Sequence, residues 1–345
     1  MRRDHDSSVM LLGDTIMSKS DLMGVWVRRF LEEYLIGERN YSSNTQASYR
    51  DTLVLLLPFL AKRKKTSVDR LALSKISSDD IRSFLVYLEE DRKCSTSTRN
   101  QRLAAIHALS KFIARKSPEH IVWRQEIASV PFKKTSKPTL AYLEKDEMDA
   151  ILNAPDVQTR QGKRDYALLL FLYNTGARAS EAAQLKISDL KLGSMPSVRI
   201  IGKGMKVRYC PLWSLTLKTI EMLVAGRPLH DPVFLNCRRQ VVTRFGIHSL
   251  IRRSVARASR KVASIKEKKI SPHSIRHTTA VHLLRSGVDI NTIRAWLGHV
   301  SLDTTNVYAV IDLKMKADAL AHCEIIQKLP KRKSWQNENT MAFLR

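Results

Sequence analysis

A chain of 345 residues has room for about two domains of usual size, and its 43% hydrophobic content excludes a wholly disordered basic tail. With 59 Lys and Arg against 33 Asp and Glu, the net charge of +26 points to a polyanion, nucleic acid ahead of an anionic membrane surface. The sequence shows no apolar run of membrane length, no Gly-rich phosphate loop and no metal-type pair among Cys94, Cys210, Cys237 and Cys323. Asp4, Asp6 and Asp14 interrupt any signal-peptide pattern, so a reducing cytoplasm is expected.

In chain order, residues 1–20 are polar without a period and read as a flexible arm. Four helices are predicted next, at 22–35, 45–62, 78–90 and 96–115. Ser43 and Asn44 are good capping types for the second, and Pro58 predicts a kink or early end within it. Ser78-Asp79-Asp80 opens the third with the negative charge a helix N-terminus favours. Residues 129–138 (SVPFKKTSKP) break the periodicity on both sides and are placed as a linker. The first domain is therefore set at 21–128 and the second at 139–328, with a basic flexible tail at 329–345. Residues 1–136 carry 24 basic and 16 acidic groups and residues 137–345 carry 35 and 17, so most of the excess lies in the second half.

That half predicts helices at 145–153, 163–175 and 179–185. A β-hairpin follows at 198–201 and 207–212, turning at Gly202-Lys203-Gly204-Met205. Further helices are expected at 248–264, 274–286, 290–297 and 313–328, with a short turn at 303–308. The fold class is mainly α. An all-α four-helix N-terminal domain precedes a mostly helical domain with a small antiparallel β-sheet.

Chemistry-bearing residues cluster in the second half. Thr175-Gly176-Ala177-Arg178 runs into Ser180-Glu181 at a helix start, and Lys203 sits between two glycines. Pro272-His273-Ser274-Ile275-Arg276-His277 opens a helix, Leu297-Gly298-His299 ends one, and Tyr308 follows nine residues later. Singly, each has an ordinary reading as a surface charge, turn residue, helix cap or half-buried tyrosine. In this order and context they resemble the tyrosine recombinase (phage integrase) family, most of all its short Xer-type members. The pattern Arg, Lys, His-x-x-Arg, His, Tyr maps onto Arg178, Lys203, His273 with Arg276, His299 and Tyr308. This resemblance covers about residues 140–325; the N-terminal helices resemble the family's SAM-like core-binding domain more weakly.

The resemblance implies a site-specific DNA recombinase acting through a 3′-phosphotyrosine intermediate, in integration, excision or resolution of mobile or plasmid DNA. The residue types suit that chemistry. Arg178 and Arg276 present planar forks to the charge that builds on a phosphate under attack, where lysine is poorer. His299 adds a donor, His273 orients or deprotonates the tyrosine, and Lys203 protonates the leaving 5′ oxygen. Tyr308 is the nucleophile, and the covalent link stores the bond energy, so no ATP, metal or other cofactor is expected. Glu181 reads as a helix-start acid supporting Arg178, and His277 and His282 as structural.

Residues 238–269 hold 11 basic groups and one acid, Glu267. Leu250, Ile251, Val255, Ala258 and Val262 can share one helical face, leaving Arg252, Arg253, Arg257 and Arg260 for a DNA groove. Arg99 and Arg102 are placed on the opposite side of the duplex. The expected partners are double-stranded DNA with inverted half-sites and three further copies in a homo-tetramer, or a related recombinase in a hetero-tetramer. An apolar stripe of Leu313, Met315, Ala317, Leu320, Ala321 and Ile325 reads either as packing on the chain's own core or, as the resemblance implies, as docking on a neighbouring protomer. About 20 residues precede the first helix, fewer than the arm-binding domain of larger phage integrases, which suits simple core sites. Two alternatives stand beside this reading: a type IB topoisomerase-like relaxing enzyme and a non-catalytic DNA-binding regulator.

Overall fold

A computed structural model describes residues 21–135, 141–193 and 195–298 of the chain. The chain divides into two compact units, 1–138 and 139–345. Among the described residues no helix is long and apolar enough to cross a membrane.

The first unit holds α1 (Met23–Arg29), α2 (Ser43–Arg63), α3 (Ser78–Glu90), α4 (Thr96–Lys116) and α5 (Ile121–Ala128). The helix predicted at 22–35 continues past α1 as a wider-pitched stretch, Phe30–Glu38, which seats Phe30 beside Tyr34 at 5.4 Å between ring centres. Pro58 does not end α2, which runs on to Arg63; Pro58 and Val54, one turn back, are both on the exposed side, where solvent can reach the carbonyl that proline leaves without a donor. Ser42, Ser77 and Ser95 cap α2, α3 and α4 through their side-chain oxygens. Phe30, Leu56, Leu60, Phe84, Leu88, Leu103 and Ile113 fill the core, each fully buried. Helix α5 has no counterpart in the sequence expectation. Ile121 and Val122 are exposed and only Ile127 is buried, so its residues carry no apolar face. Long-range bonds hold it instead: Trp123 Nε1 donates to the Ile76 carbonyl at 2.8 Å, and the Glu126 carboxylate accepts the Ser78 N–H at 2.8 Å.

The second unit is built on α7 (Arg160–Thr175), where every residue from Ala167 to Thr175 is buried. A helix apolar on all sides belongs at the centre of a domain. Around it pack α6 (Lys145–Leu152), α8 (Ala179–Gln184), α9 (Ser214–Val224) and α11 (Pro272–Arg285), with α10 (Arg244–Ala258) against α6 and α8, and α12 (Ile290–Leu297) against α11. The hairpin is β2 (Ser197–Ile201) and β3 (Val207–Pro211), in register from Ser197 opposite Pro211 to Ile201 opposite Val207. A two-residue strand, β1 (Leu190–Lys191), extends it to an antiparallel sheet of order β1-β2-β3.

Helix α9 has no expected counterpart because its pattern is mixed: Thr216 and Thr219 face inward beside Ile220, while Leu215 and Met222 are exposed. Helix α10 begins four residues before the expected position 248, because Thr243 Oγ1 accepts the Gly246 N–H at 3.1 Å and caps it there. It ends at Ala258 rather than 264, and residues Ala263–Glu267 form a separate tight turn. Helix α11 starts two residues before the expected 274, with Ser271 as cap and Pro272 in the first helical position.

Candidate active site

Helix α7 ends at Gly176, whose φ of +59° is the left-handed conformation that favours glycine. A Cβ there would also fall 2.4 Å from Leu297 Cδ2, so the end of α12 rests directly on this turn. Asn174 fixes the other neighbours. Its Nδ2 donates to the Pro211 carbonyl at 3.2 Å, its Oδ1 accepts the Trp213 N–H at 2.9 Å, and its carbonyl accepts Trp296 Nε1 at 3.2 Å. The end of α7 is therefore the point where β3 and α12 meet.

Two residues after Gly176, Arg178 stands just ahead of α8. Glu181 reaches back to accept the Arg178 N–H at 2.9 Å and Arg178 Nη1 at 2.6 Å. The Arg178 side chain remains 33% exposed, which leaves it open to an incoming anion. On α11, Arg276 is 3% exposed, and its guanidinium donates to the Gly176 carbonyl at 2.7 Å and the Leu297 carbonyl at 2.6 Å. One turn earlier on the same helix, His273 faces solvent. Partial burial, followed by the positive charges of Arg276, Arg178 and His248, pushes its pKa below the ordinary imidazole value. A neutral imidazole near neutral pH can accept a proton. His277, its ring centre 6.2 Å from that of His273, is pushed down to about 4 by burial, then by His273 and Arg276.

Lys203 begins the turn Lys203–Met205 between β2 and β3, with Gly204 at φ +72°. Its side chain lies outside what the structure describes. The root of its turn is fixed: a Cβ on Gly202 would stand 3.3 Å from Glu181 Oε1, so the hairpin rests on the carboxylate that holds Arg178. Gly298, at φ +67°, precedes His299. His299, Tyr308 and the stripe 313–325 lie outside the described residues. Of the six expected residues, the structure thus brings together Arg178, His273 and Arg276, and places the backbone of Lys203 beside them. A cleft of about 870 Å³ opens here, lined among others by Arg178, Gly202, Lys206, Arg208, Arg294 and Gly298. Among the described residues no group of three or more His, Cys, Asp or Glu could hold a metal ion.

One member was not anticipated. Arg208 is on the inner face of β3 and only 9% exposed; its Nη2 donates to Glu181 Oε2 at 2.7 Å and its Nε to the Trp296 carbonyl at 2.9 Å. Burial pushes the Glu181 carboxyl up, but hydrogen bonding and charge from Arg208, then the Arg178 contacts, outweigh it and hold Glu181 below the ordinary carboxylate value. The alternation of β3 was the available signal, since Arg208 is in phase with buried Cys210.

The expected DNA-facing arginines separate. Arg99 is not on an outer face: it is 6% exposed, and its Nη1 donates to the Pro131 carbonyl at 3.0 Å and Asn100 Oδ1 at 2.9 Å. It ties the chain after α5 to α4, and a buried guanidinium bonded to its own chain is not presented to a duplex. Arg102 is half-buried, with its Nη1 shielded from solvent and unpartnered among the described residues. On α10, Leu250, Ile251 and Ala258 face the core as expected. Arg253 leans toward Asp165 of α7 at 3.5 Å, and Arg257 toward the Ala154 carbonyl at 3.5 Å. Arg252 and Arg260 are exposed without an ion pair among the described residues. Helical spacing sets Arg244, His248 and Arg252 in one stripe, and the charge of His248 is felt by His273.

A family model described as the phage integrase family matches residues 141–314, and one for the phage integrase N-terminal SAM-like domain matches residues 27–117. A Sinorhizobium fredii protein named as an integrase/recombinase, y4rC, is 34% identical over 95% of this chain and 99% of its own. The tyrosine recombinase XerC of Oceanobacillus iheyensis is 31% identical over 80% of this chain and 88% of its own. Among solved structures, the XerH site-specific recombinase bound to its difH substrate is similar in fold, with a TM-score of 0.62 at 22% identity, covering 85% of this chain and 84% of that one.

Proposed function

Because the chain belongs to the phage integrase family of tyrosine recombinases, and is thus an enzyme of site-specific DNA strand breakage and rejoining, we propose that its reaction is carried by Arg178, Lys203, His273, Arg276, His299 and Tyr308. The observation that carries this reading is the junction at Gly176. Arg276 bonds its carbonyl, Arg178 stands two residues on, and His273 lies one turn from Arg276 under the influence of both charges. Of these, Arg178 lines the cleft itself.

In this reading the Tyr308 oxygen attacks a backbone phosphorus while His273 takes or orients its proton. The bond from phosphorus to the 5′ oxygen breaks, and Lys203 supplies that oxygen with a proton. Arg178, Arg276 and His299 meet the charge on the non-bridging oxygens, where oriented donors in a shielded site contribute most. The 3′-phosphotyrosine keeps the bond energy until a second 5′ hydroxyl attacks. With residues 129–138 as a linker, both units hold the duplex at inverted half-sites. Four copies act on two sites, either identical or paired with a related recombinase, in the cytoplasm with the nucleoid.

A nicked substrate that loses its 5′ fragment on cleavage tests the assignment. The protein should form a covalent adduct with it, and Tyr308→Phe should form none. An adduct surviving in that variant would remove Tyr308 as the nucleophile.

A further inference from the structure

Arg208 carries a charge into the inner face of a strand, where an unpaired guanidinium would be costly. Its surroundings are more than compensation for that burial. Its Nη2 holds Glu181 Oε2 at 2.7 Å, while Glu181 Oε1 holds Arg178 Nη1 at 2.6 Å, so one carboxylate is shared by two guanidiniums. Its Nε bonds the Trp296 carbonyl, two residues before Gly298, and Cys210 Sγ reaches the same oxygen at 3.4 Å. Both flanking glycines are built around it. A Cβ on Gly298 would stand 3.2 Å from Arg208 Cδ, and one on Gly202 would stand 3.6 Å from Arg208 Nη1. Gly202 precedes Lys203, and Gly298 precedes His299.

One side chain therefore touches the acid that orients Arg178, the root of the lysine turn, and the turn leading to His299. The electrostatics point the same way. A Glu181–Arg178 pair alone is neutral, and its field toward a phosphate would nearly cancel. With Arg208 as the third member the cluster carries a net +1, and Arg178 can direct positive charge outward into the cleft.

We propose that Arg208 is a positioning residue for strand cleavage: acting through Glu181, it keeps Arg178 available to the scissile phosphate, and it holds the turns at Gly202 and Gly298 in one arrangement. The inference rests on the catalytic assignment above and deepens it. Arg208 itself touches no DNA in this account, so substrate affinity and cleavage should separate.

The experiment measures half-site binding and single-turnover cleavage at saturating nicked DNA, for the wild type, Arg208→Lys, Arg208→Met, Glu181→Gln and the Arg208→Lys/Glu181→Gln double variant. Arg208→Met should cleave roughly 100-fold more slowly, the scale of an ångström-sized misplacement. Its half-site affinity should stay within about threefold of wild type, well under a tenth of the binding energy. Arg208→Lys, which keeps the charge but loses the fork, should recover part of the rate. The double variant should cleave about as slowly as the slower single variant, since both act through one contact. Thermal melting of each variant separates misfolding from mispositioning, and Arg208→Lys keeps the question open to decision if Arg208→Met does not fold. Wild-type cleavage rates in both Arg208 variants, fully multiplicative losses in the double variant, or affinity falling in step with rate would each overturn the proposal. Failure of the catalytic assignment looks different: the wild type itself would give no adduct, or Tyr308→Phe would give one.

Discussion

Each unit buries an arginine that donates to a main-chain carbonyl, yet the two uses differ. In the first, Arg99 bonds the Pro131 carbonyl and its neighbour Asn100, and Asn100 in turn bonds the Lys133 carbonyl and N–H. Its partners are its own helix neighbour and the chain just after α5, and it acts as a strut. In the second, Arg276 bonds carbonyls on two separate turns, at Gly176 and Leu297, and its charge, with that of Arg178, acts on His273. Burial and carbonyl bonding are common to both. What marks a site is the convergence of charged groups from several elements on one cleft.

Substitution at these arginines gives the largest expected effects. Arg178→Lys should lower single-turnover cleavage by about 10²–10³-fold, the usual loss for a donor to developing charge. Melting should change little, because the side chain is 33% exposed. Arg276→Lys should lose as much activity and also melt earlier, because the fork that bridges the Gly176 and Leu297 carbonyls is gone. If Arg276→Lys lost stability alone, Arg276 would be a strut like Arg99 and the contrast would collapse.

Arg99→Met examines the other half of the comparison. The Pro131 carbonyl would lose its donor, and chemical denaturation should show the first unit less stable by about 1–3 kcal/mol. Cleavage per bound complex should stay at the wild-type rate. A variant that folds with full stability but binds DNA poorly would return Arg99 to the DNA surface.

The backbone of the candidate site was legible where it is local. The turn at Gly176, the Lys203 hairpin and the His273–Arg276 helix start are short motifs whose residue types fix both backbone and chemistry, and β2, β3 and α12 fall within a residue or two of the predicted bounds. What was not legible depends on tertiary partners. Helix α9 buries threonines and exposes leucine and methionine, and α5 is held by Trp123 and Glu126 bonding to residues about 47 positions away. Arg99 and Arg252 are both arginines on basic helices; only packing sorts the strut from the surface charge. Arg208 needed the strand's alternation to be read as a statement about charge, when alternation is ordinarily read for apolar residues.

Acid should act on the second unit through its histidines. His277 has a pKa of about 4 in the fold, against an ordinary value of 6.5. Between those pH values the unfolded chain takes up a proton that the fold does not, so stability is complete above about 6.5 and falls as pH drops toward 4. The loss from this group should be on the order of 2–3 kcal/mol, and His277→Gln should flatten that slope in urea denaturation across the window. His273 is also held below the ordinary value, so its neutral form, and with it cleavage at saturating DNA, should persist below pH 6.5. An acid limb at or above the ordinary imidazole value would show that His273 is not held below that value in the DNA complex.

The smallest effects are expected on α10, where the same contrast recurs within one helix. Arg253 and Arg257, one turn apart, lean toward Asp165 and the Ala154 carbonyl, while Arg252 shares the stripe of Arg244 and His248 on the side that reaches His273. An arginine neutralising a phosphate releases a counterion, and its loss lowers the slope of log affinity against log salt by about one. Arg252→Ala should show that change and weaken half-site binding by about 1 kcal/mol at moderate salt. Arg253→Ala should leave the slope close to wild type, because its charge is already turned toward a carboxylate of its own chain. Equal slope changes for the two would mean that DNA draws Arg253 away from Asp165, and that the pairing seen on this helix does not choose which arginines meet the duplex.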